Sequence, residues 1–257
     1  KIYEIINKIM KAIILGAGYG SRLSKLTKNT PKNLLDINGK NILERQITIF
    51  QNNGINEIIV IVGQNKDKYN IPNVKYVEDK NFHKHEQLTS LMVAKNEIKD
   101  DVLVSFADVL IDDHIMKEII QSSQSIGIAI DLQWESNYIG RTQHPTSEAD
   151  LALTENNKII KIKKDLKENS TGEIGEFLGL IKLDSNGSKE FLKIYDLAKK
   201  SHRGRFHEAA SFEKGYLTDM IQELIDVGEK VVPIFIHGKW CEIDTPQDLE
   251  NAREKFT

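Results

Sequence analysis

Residues 11–35, KAIILGAGYGSRLSKLTKNTPKNLL, constrain this chain more than any other stretch, because they set a glycine turn and two cations directly behind an apolar strand. The run 12–15 is a short β-branched and aliphatic burst of the kind buried in parallel sheets. Gly16, Gly18 and Gly20 break it. Glycines there permit positive φ and let backbone N–H groups approach a polyphosphate with no Cβ in the way. Arg22 suits forked phosphate contacts, and Lys32 supplies a point charge on a flexible stem. The stretch therefore reads as a seat for a nucleoside triphosphate. Two familiar glycine loops do not fit it. A P-loop would place Lys-Ser/Thr after its last glycine, where this chain has Ser21 and Arg22. A dinucleotide fingerprint needs GxGxxG opening a helix, whereas here the spacing is GxGxG and Thr30-Pro31 favours an extended path.

The longer string LGAGYGSRLSKLTKNTPKNLLDINGKNIL resembles the opening signature of the sugar-phosphate and choline-phosphate type nucleotidyltransferases (MobA-like NTP transferases), roughly LAAGxGSRLxxLTxxxPKxLLxxxGKxxL. Gly16, Gly18, Gly20, Ser21, Arg22, Pro31, Lys32, Gly39 and Lys40 fall in register, with Gly16 standing where alanine is usual. A thinner likeness runs to the closing W-x-E-I-D-T-P-Q-D-L segment. The resemblance implies a Rossmann-like (GT-A-like) three-layer α/β/α fold, and a nucleotide held by Leu15, Gly16, Ala17, Gly18, Gly20 and Ser21. It also implies that Arg22 and Lys32 act in catalysis. The helix start HEQLTSL is similar to the N-N-x-x-S-L stretch of phosphocholine and 2-aminoethylphosphonate cytidylyltransferases, with Glu86-Gln87 replacing the asparagines. That makes Gln87 and Ser90 the base-reading candidates, although polar residues at a helix start also serve as caps.

The rest of the chain suits a mainly parallel sheet, since helix-like and strand-like patterns alternate. Asn41 is a good N-cap for a helix with Ile42, Leu43, Ile47 and Phe50 on one face, and Asn53-Gly54 ends it. Strands are expected at 57–62, 74–77 and 101–106, with a helix at 88–98 between the last two. Right-handed crossovers line up the carboxyl ends of such strands on one edge. From Ser125 the pattern turns to strands, SIGIAIDL, DLALT, KIIKIKK and GEFLGLIKL, with a turn at Asn156-Asn157, which suggests a small acceptor-side β subregion. Helices are expected at 187–200 and 216–227 and a late strand at 230–236. A last helix starts at Pro246 behind Thr245 as cap, with Asp248 complementing its dipole.

Joining a nucleotide to a phosphorylated acceptor asks little beyond position and charge. The acceptor oxygen is already ionised at neutral pH, so the site must compensate charge building on the α-phosphate and the departing pyrophosphate, usually with Mg²⁺ and cations. Asp108, in SFADVL at an expected strand end facing the cleft, is a candidate hard metal ligand. In the family resembled, a late aspartate joins the mid-chain one at the metal, and that residue is Asp244 here. Arg141 and Lys163 are candidate clamps for the acceptor phosphate, the lysine matching the family's usual place. Trp134, Tyr138 and Trp240 are candidate frames for an acceptor ammonium, with Glu176 or Glu242 as counter-charge. The seven histidines form no zinc pattern.

With 35 basic and 38 acidic residues in 257, the net charge of −3 gives no footing for nucleic acid, and one large domain is expected over 10–257. Residues 1–9 lack a signal peptide's pattern and read as an extension or a linker from an upstream domain. Cys241 is the single cysteine and no run matches a membrane span, so the expectation is a cytoplasmic protein, with a homodimer as the candidate assembly. With the resemblance, these features lead us to expect a Mg²⁺-dependent nucleotidyltransferase. The reaction the resemblance implies is transfer of CMP from CTP to a small phosphate or phosphonate acceptor such as 2-aminoethylphosphonate or phosphocholine. The rivals are a sugar-1-phosphate nucleotidylyltransferase, a non-catalytic nucleotide or sugar-phosphate sensor, and a glycosyltransferase. The last normally carries a D-x-D motif, which Asp244 onward does not supply.

Overall fold

The structure, a computed structural model, describes residues 10–18, 20–167 and 171–257. The expectation for residues 1–9 lies outside them. In chain order the strands are β1 (Lys11–Gly16), β2 (Asp36–Ile37), β3 (Lys40–Asn41), β4 (Glu57–Val62), β5 (Val74–Glu78), β6 (Val102–Phe106) and β7 (Val109–Ile111). They continue with β8 (Ile126–Asp131), β9 (Asp150–Glu155), β10 (Lys158–Lys164), β11 (Glu173–Leu183), β12 (Val232–Phe235) and β13 (Trp240–Glu242). The helices are α1 (Ile42–Asn52), α2 (Gln87–Leu91), α3 (Asp113–Gln121), α4 (Ser185–Ser201), α5 (Leu217–Asp226) and α6 (Pro246–Lys255).

A nine-stranded sheet runs β10-β9-β11-β6-β1-β4-β5, with β8 and β12 joined alongside β11. Its β6-β1-β4-β5 half is parallel, and β11 pairs antiparallel with β6, β8 and β9. Alternation along β1 sends Ile13 to one face and Ala12 and Ile14 to the other. The first face packs against Leu88 and Leu91 of α2, Phe191 of α4 and Met220 of α5. The second packs against Leu43, Ile47 and Phe50 of α1 and Ile115 and Ile119 of α3. This is the three-layer, mainly parallel α/β/α arrangement expected.

Local capping follows the sequence closely. Asn41 and Glu44 form a capping box on α1, and Thr245 and Asp248 form another on α6 with Pro246 in the first turn. Elsewhere the structure departs from pattern. The helix expected at 88–98 stops at Leu91 and continues as a 3-10 turn over Met92–Glu97, with Ala94 outside helical geometry (φ −100°, ψ 25°). Helix α3, capped by Asp112, and strand β7 were not anticipated. Within β11 the register shifts between Phe177 and Ile181, and Gly179 sits there at φ +76°. A Cβ at Gly179 would stand 2.2 Å from the Phe106 ring, so this bulge lets the strand close over the end of β6.

Candidate active site

The parallel strands deliver their carboxyl ends to one edge, and the glycine elbow turns there. Gly20 adopts left-handed geometry (φ +61°) with the Lys32 side chain against its α-carbon, so a Cβ would lie 3.0 Å from Lys32 Cβ. Arg22 projects from the 3-10 helix Ser21–Thr27 that follows. Pro31 is extended, as its sequence predicts, and swings Lys32 back toward the end of β6.

Asp108 and Asp244 meet because of a strand pair. Past β6 the chain turns at Ala107-Asp108 into β7, and Gln46 of α1 clamps that turn by donating Nε2–H to the Phe106 and Val109 carbonyls, both at 2.7 Å. Strand β13 pairs antiparallel with β7, matching Glu242 to Val109, and Ile243 N–H donates to the Asp108 carbonyl at 2.9 Å. The extended chain then places Asp244 beside Asp108. Lys32 Nζ bridges them, 2.6 Å from Asp108 Oδ2 and 2.5 Å from Asp244 Oδ1, while Arg22 Nη2 reaches Asp244 Oδ2 at 2.7 Å.

The charges of this cluster are strongly coupled. Burial works against the Lys32 ammonium, but Asp108 and Asp244, with Glu242 behind them, outweigh it and raise its pKa above the ordinary lysine range. Burial likewise opposes the Asp244 carboxylate, and Lys32 and Arg22 overcome it, so that its pKa is lowered. Glu242 has no such release: burial, Asp244 and Asp108 push its carboxyl well above the usual range. His144, whose side chain is 2 % exposed, lies 3.5 Å from Asp244 and is pushed down to about 4 by burial and by Arg141. Its imidazole is neutral at neutral pH.

A cleft of about 600 Å³ opens over these groups. Leu15, Ala17, Gly18, Arg22, Gln87, Ser90, Asp108, Lys163 and Asp244 line it, so most of the sequence-predicted residues share one cavity. The opposite edge of the sheet carries a shallower depression of about 390 Å³ around Asp101, Lys182 and Asp184, away from the glycine elbow.

Four acceptor-side candidates are placed differently from expectation. Arg141 points into the protein, donating Nε–H to Asp248 Oδ1 at 2.6 Å, with its guanidinium over the Tyr138 ring. The counter-charges supplied by β13 and α6 claim it, so it does not line the cleft. Trp240 is buried and donates Nε1–H to Asp131 Oδ2 at 2.7 Å. Trp134 packs edge-on against Tyr138 beside a small core around Leu151 and Leu166. Neither ring frames the cleft. Glu176 accepts a 2.6 Å hydrogen bond from the Tyr138 hydroxyl and faces a small side cavity instead. Asp248 does more than complement a dipole, since it accepts from the Asp244 and Thr245 backbone N–H groups and from Arg141.

Several cleft residues were not anticipated, among them His144, Glu148, Asp150, Tyr216 and Asp219. One signal was available: Glu242 and Asp244 are two apart on extended chain and so share a face. His144, Glu242 and Asp244 bring one ligand atom each within 4.8 Å of one another. For a hard cation the aspartate oxygens beside this set, on Asp108 and Asp244, are the suitable donors. Asp108 Oδ1 is buried and meets no hydrogen-bond partner among the described residues, leaving a carboxylate oxygen available at the place where Lys32 already bridges two carboxylates.

The profile of the MobA-like NTP transferase domain matches residues 12–150, from the first residues of β1 to the first residue of β9. The chain belongs to this family. Over 258 residues it is 31% identical to the CTP:phosphoglutamine cytidylyltransferase of Campylobacter jejuni, covering 96% of this chain and 100% of that protein. It is 29% identical to the bifunctional protein GlmU of Methanococcus maripaludis, covering 96% of this chain but only 54% of that longer protein. Among solved structures, the CTP:phosphocholine cytidylyltransferase from Streptococcus pneumoniae (LicC) superposes with a TM-score of 0.72 at 25% identity, covering 97% of this chain and 100% of the other. Arg22, Lys32, Asp108 and Asp244 all lie in or beside the cleft of this transferase domain. Among the described residues, no helix is long and apolar enough to cross a membrane.

Proposed function

We propose that this chain transfers CMP from CTP to a small acceptor carrying a phosphate or phosphonate, releasing pyrophosphate. The observation that carries this reading is the convergence of Arg22, Lys32, Asp108 and Asp244 beside the glycine elbow, at the carboxyl edge of the sheet. The full-length similarity to a cytidylyltransferase supports CTP as the nucleotide.

In this account the triphosphate lies at the elbow of Gly16, Gly18, Gly20 and Ser21, which would offer it backbone N–H groups; of these Gly18 lines the cleft itself. Leu15, Ala17, Gln87 and Ser90 stand along the cleft where the base would be read, and Ser90 Oγ is buried with no partner among the described residues. The guanidinium of Arg22 is half exposed and can exchange Asp244 for a phosphate oxygen. Lys32 remains protonated and holds its charge beside the α-phosphate. Asp108 and Asp244 would hold Mg²⁺, which when bound compensates charge on the α-phosphate and pyrophosphate. The ionised acceptor oxygen, drawn by Lys163, forms a bond to the α-phosphorus. The bond from that phosphorus to the bridging oxygen breaks, and its electron pair leaves with pyrophosphate.

The test is a pyrophosphate-release screen of CTP, UTP, GTP and ATP against phosphocholine, 2-aminoethylphosphonate and several sugar 1-phosphates. Turnover confined to CTP with a small phosphate or phosphonate is the expected result. Turnover only with a sugar 1-phosphate would select the nucleotide-sugar alternative. Nucleotide binding without turnover on any acceptor would select a sensor.

A further inference from the structure

His144 is buried, and neither of its ring nitrogens meets a hydrogen-bond partner among the described residues. The loop that carries it is pinned to the start of α6. Gln247 accepts from the Thr142 and Gln143 N–H groups at 2.8 and 3.1 Å and donates Nε2–H to the Gly140 carbonyl at 2.8 Å. This docking sets His144 Nδ1 before two carboxylates at the end of β13, 3.5 Å from Asp244 Oδ2 and 3.9 Å from Glu242 Oε2. We infer that His144, Glu242 and Asp244 form a second divalent-cation site, beside the Asp108–Asp244 pair, that takes a borderline ion of the Zn²⁺ or Co²⁺ class.

The spacing fits an ion better than it fits hydrogen bonds. Both separations exceed the range of about 2.7–3.2 Å in which a ring N–H and a carboxylate oxygen bond well. Two donors on one tetrahedral ion, with bonds of about 2.0–2.2 Å, stand about 3.4 Å apart, so an ion needs only a small contraction of this set. The imidazole is neutral at neutral pH, which leaves one ring nitrogen with a lone pair. All three side chains line the cleft, which gives an ion a path in and leaves its fourth position open to water or a phosphate oxygen.

Three protein cations stand close, and each is engaged. Lys32 Nζ binds Asp244 Oδ1, the other oxygen of that carboxylate, at 2.5 Å. Arg22 Nη2 lies 2.7 Å from Asp244 Oδ2, but its side chain is half exposed and can turn toward solvent. Arg141 Nη2 stays 3.6 Å from Glu242 Oε2 because Asp248 holds its Nε–H, so its charge lowers the affinity of the site without filling it. The donor types then select the ion. Mg²⁺ demands octahedral oxygen and keeps several waters, whereas imidazole suits Zn²⁺ and its neighbours. Three protein ligands with a fourth place open are the pattern of an accessible zinc site. Asp244 serves both positions, Oδ1 toward Lys32 and Asp108 and Oδ2 toward His144.

Co²⁺ titration of the metal-free full chain, followed by visible absorption with millimolar Mg²⁺ present throughout, tests this. One Co²⁺ per chain should bind with the intense bands of a tetrahedral ion, and Zn²⁺ should displace it. His144→Ala should weaken binding about 100-fold or more, since loss of even an outer partner costs a metal site about 10–100-fold. Asp108→Asn should keep the tetrahedral spectrum, because Asp108 supplies no ligand to this set. Circular dichroism reports whether each variant folds. An anomalous difference map from wild-type crystals soaked in zinc chloride needs no variant, and should place an ion within about 2.3 Å of His144 Nδ1 and Asp244 Oδ2. An octahedral spectrum, displacement of Co²⁺ by Mg²⁺, or undiminished affinity in folded His144→Ala overturns the inference. So does an ion found only at the exposed His114, Glu118 and His237. These measurements contain no nucleotide, so failure of the transferase reading would leave their result standing.

Discussion

Replacing Lys32 with methionine removes, among the described residues, the positive group that touches both Asp108 and Asp244, while keeping most of the side-chain volume. Both carboxylate oxygens lie 2.5–2.6 Å from Nζ. About a tetrahedral nitrogen that puts them roughly 4 Å apart. Two unit charges at that distance repel by about 4 kcal/mol at an effective dielectric of about 20, the value suited to partly buried sites. Breaking a buried ion pair costs about 3–5 kcal/mol, so the two estimates agree. For a chain of this size a loss of about 4 kcal/mol should lower the melting temperature by about 8–12 °C at pH 7.5, taking about 2–3 °C per kcal/mol. Acid should narrow the gap. The lowered pKa of Asp244 gives the wild type stability that is present above the unfolded-state value and lost as pH falls through the folded-state value. In the variant the neighbouring carboxylates instead gain from protonation. Millimolar Mg²⁺ should restore several degrees to the variant and fewer to the wild type, because the cation takes the vacated position between the carboxylates. Differential scanning calorimetry across pH 4–8, with and without Mg²⁺, measures all of this. An unchanged melting temperature, or a deficit that Mg²⁺ does not reduce, would refute the electrostatic account of the cluster.

Three further outcomes are expected. Asp108→Asn should lower turnover by about 100-fold or more in steady-state assays while the circular dichroism spectrum is retained, since it removes the charge of the proposed metal ligand and half of the Lys32 bridge. Gly16→Ala, which restores the residue usual in the family, should cost about 1–2 kcal/mol in denaturant unfolding, because its Cβ would stand 2.6 Å from Asn33 Nδ2. A double-mutant cycle with Asn33→Ala should recover most of that cost. His144 is held neutral, with its pKa pushed down to about 4, so the stability it contributes is complete above about pH 6.5 and is lost as pH falls toward about 4. His144→Gln should flatten the pH dependence of stability in that window by roughly 2 kcal/mol, read from urea midpoints.

How much of this was legible in the chain depends on how local its cause is. Asn41 and Thr245 cap their helices through hydrogen bonds to residues three positions away, so their type and spacing announce them. The elbow is legible because positive φ at Gly20 and close approach at Gly16 exclude most side chains there. The 88–98 segment misled, since apolar spacing continues past Leu91 while the backbone bends at Ala94. Arg141 misled for another reason: a lone arginine in a loop carries no mark of the buried carboxylate that will claim it.

Backbone chemistry and side-chain period alone therefore determined the layered α/β class, the glycine elbow and the helix caps, because each depends on neighbours a few residues away. The tertiary structure decided the rest. Pairing of β7 with β13 carries Asp244 across the chain to Asp108, and folding of β9 and β11 beside that pair sets Asp150 and Glu176 around a recess. These are relations between segments distant in sequence, fixed by which strands share hydrogen bonds.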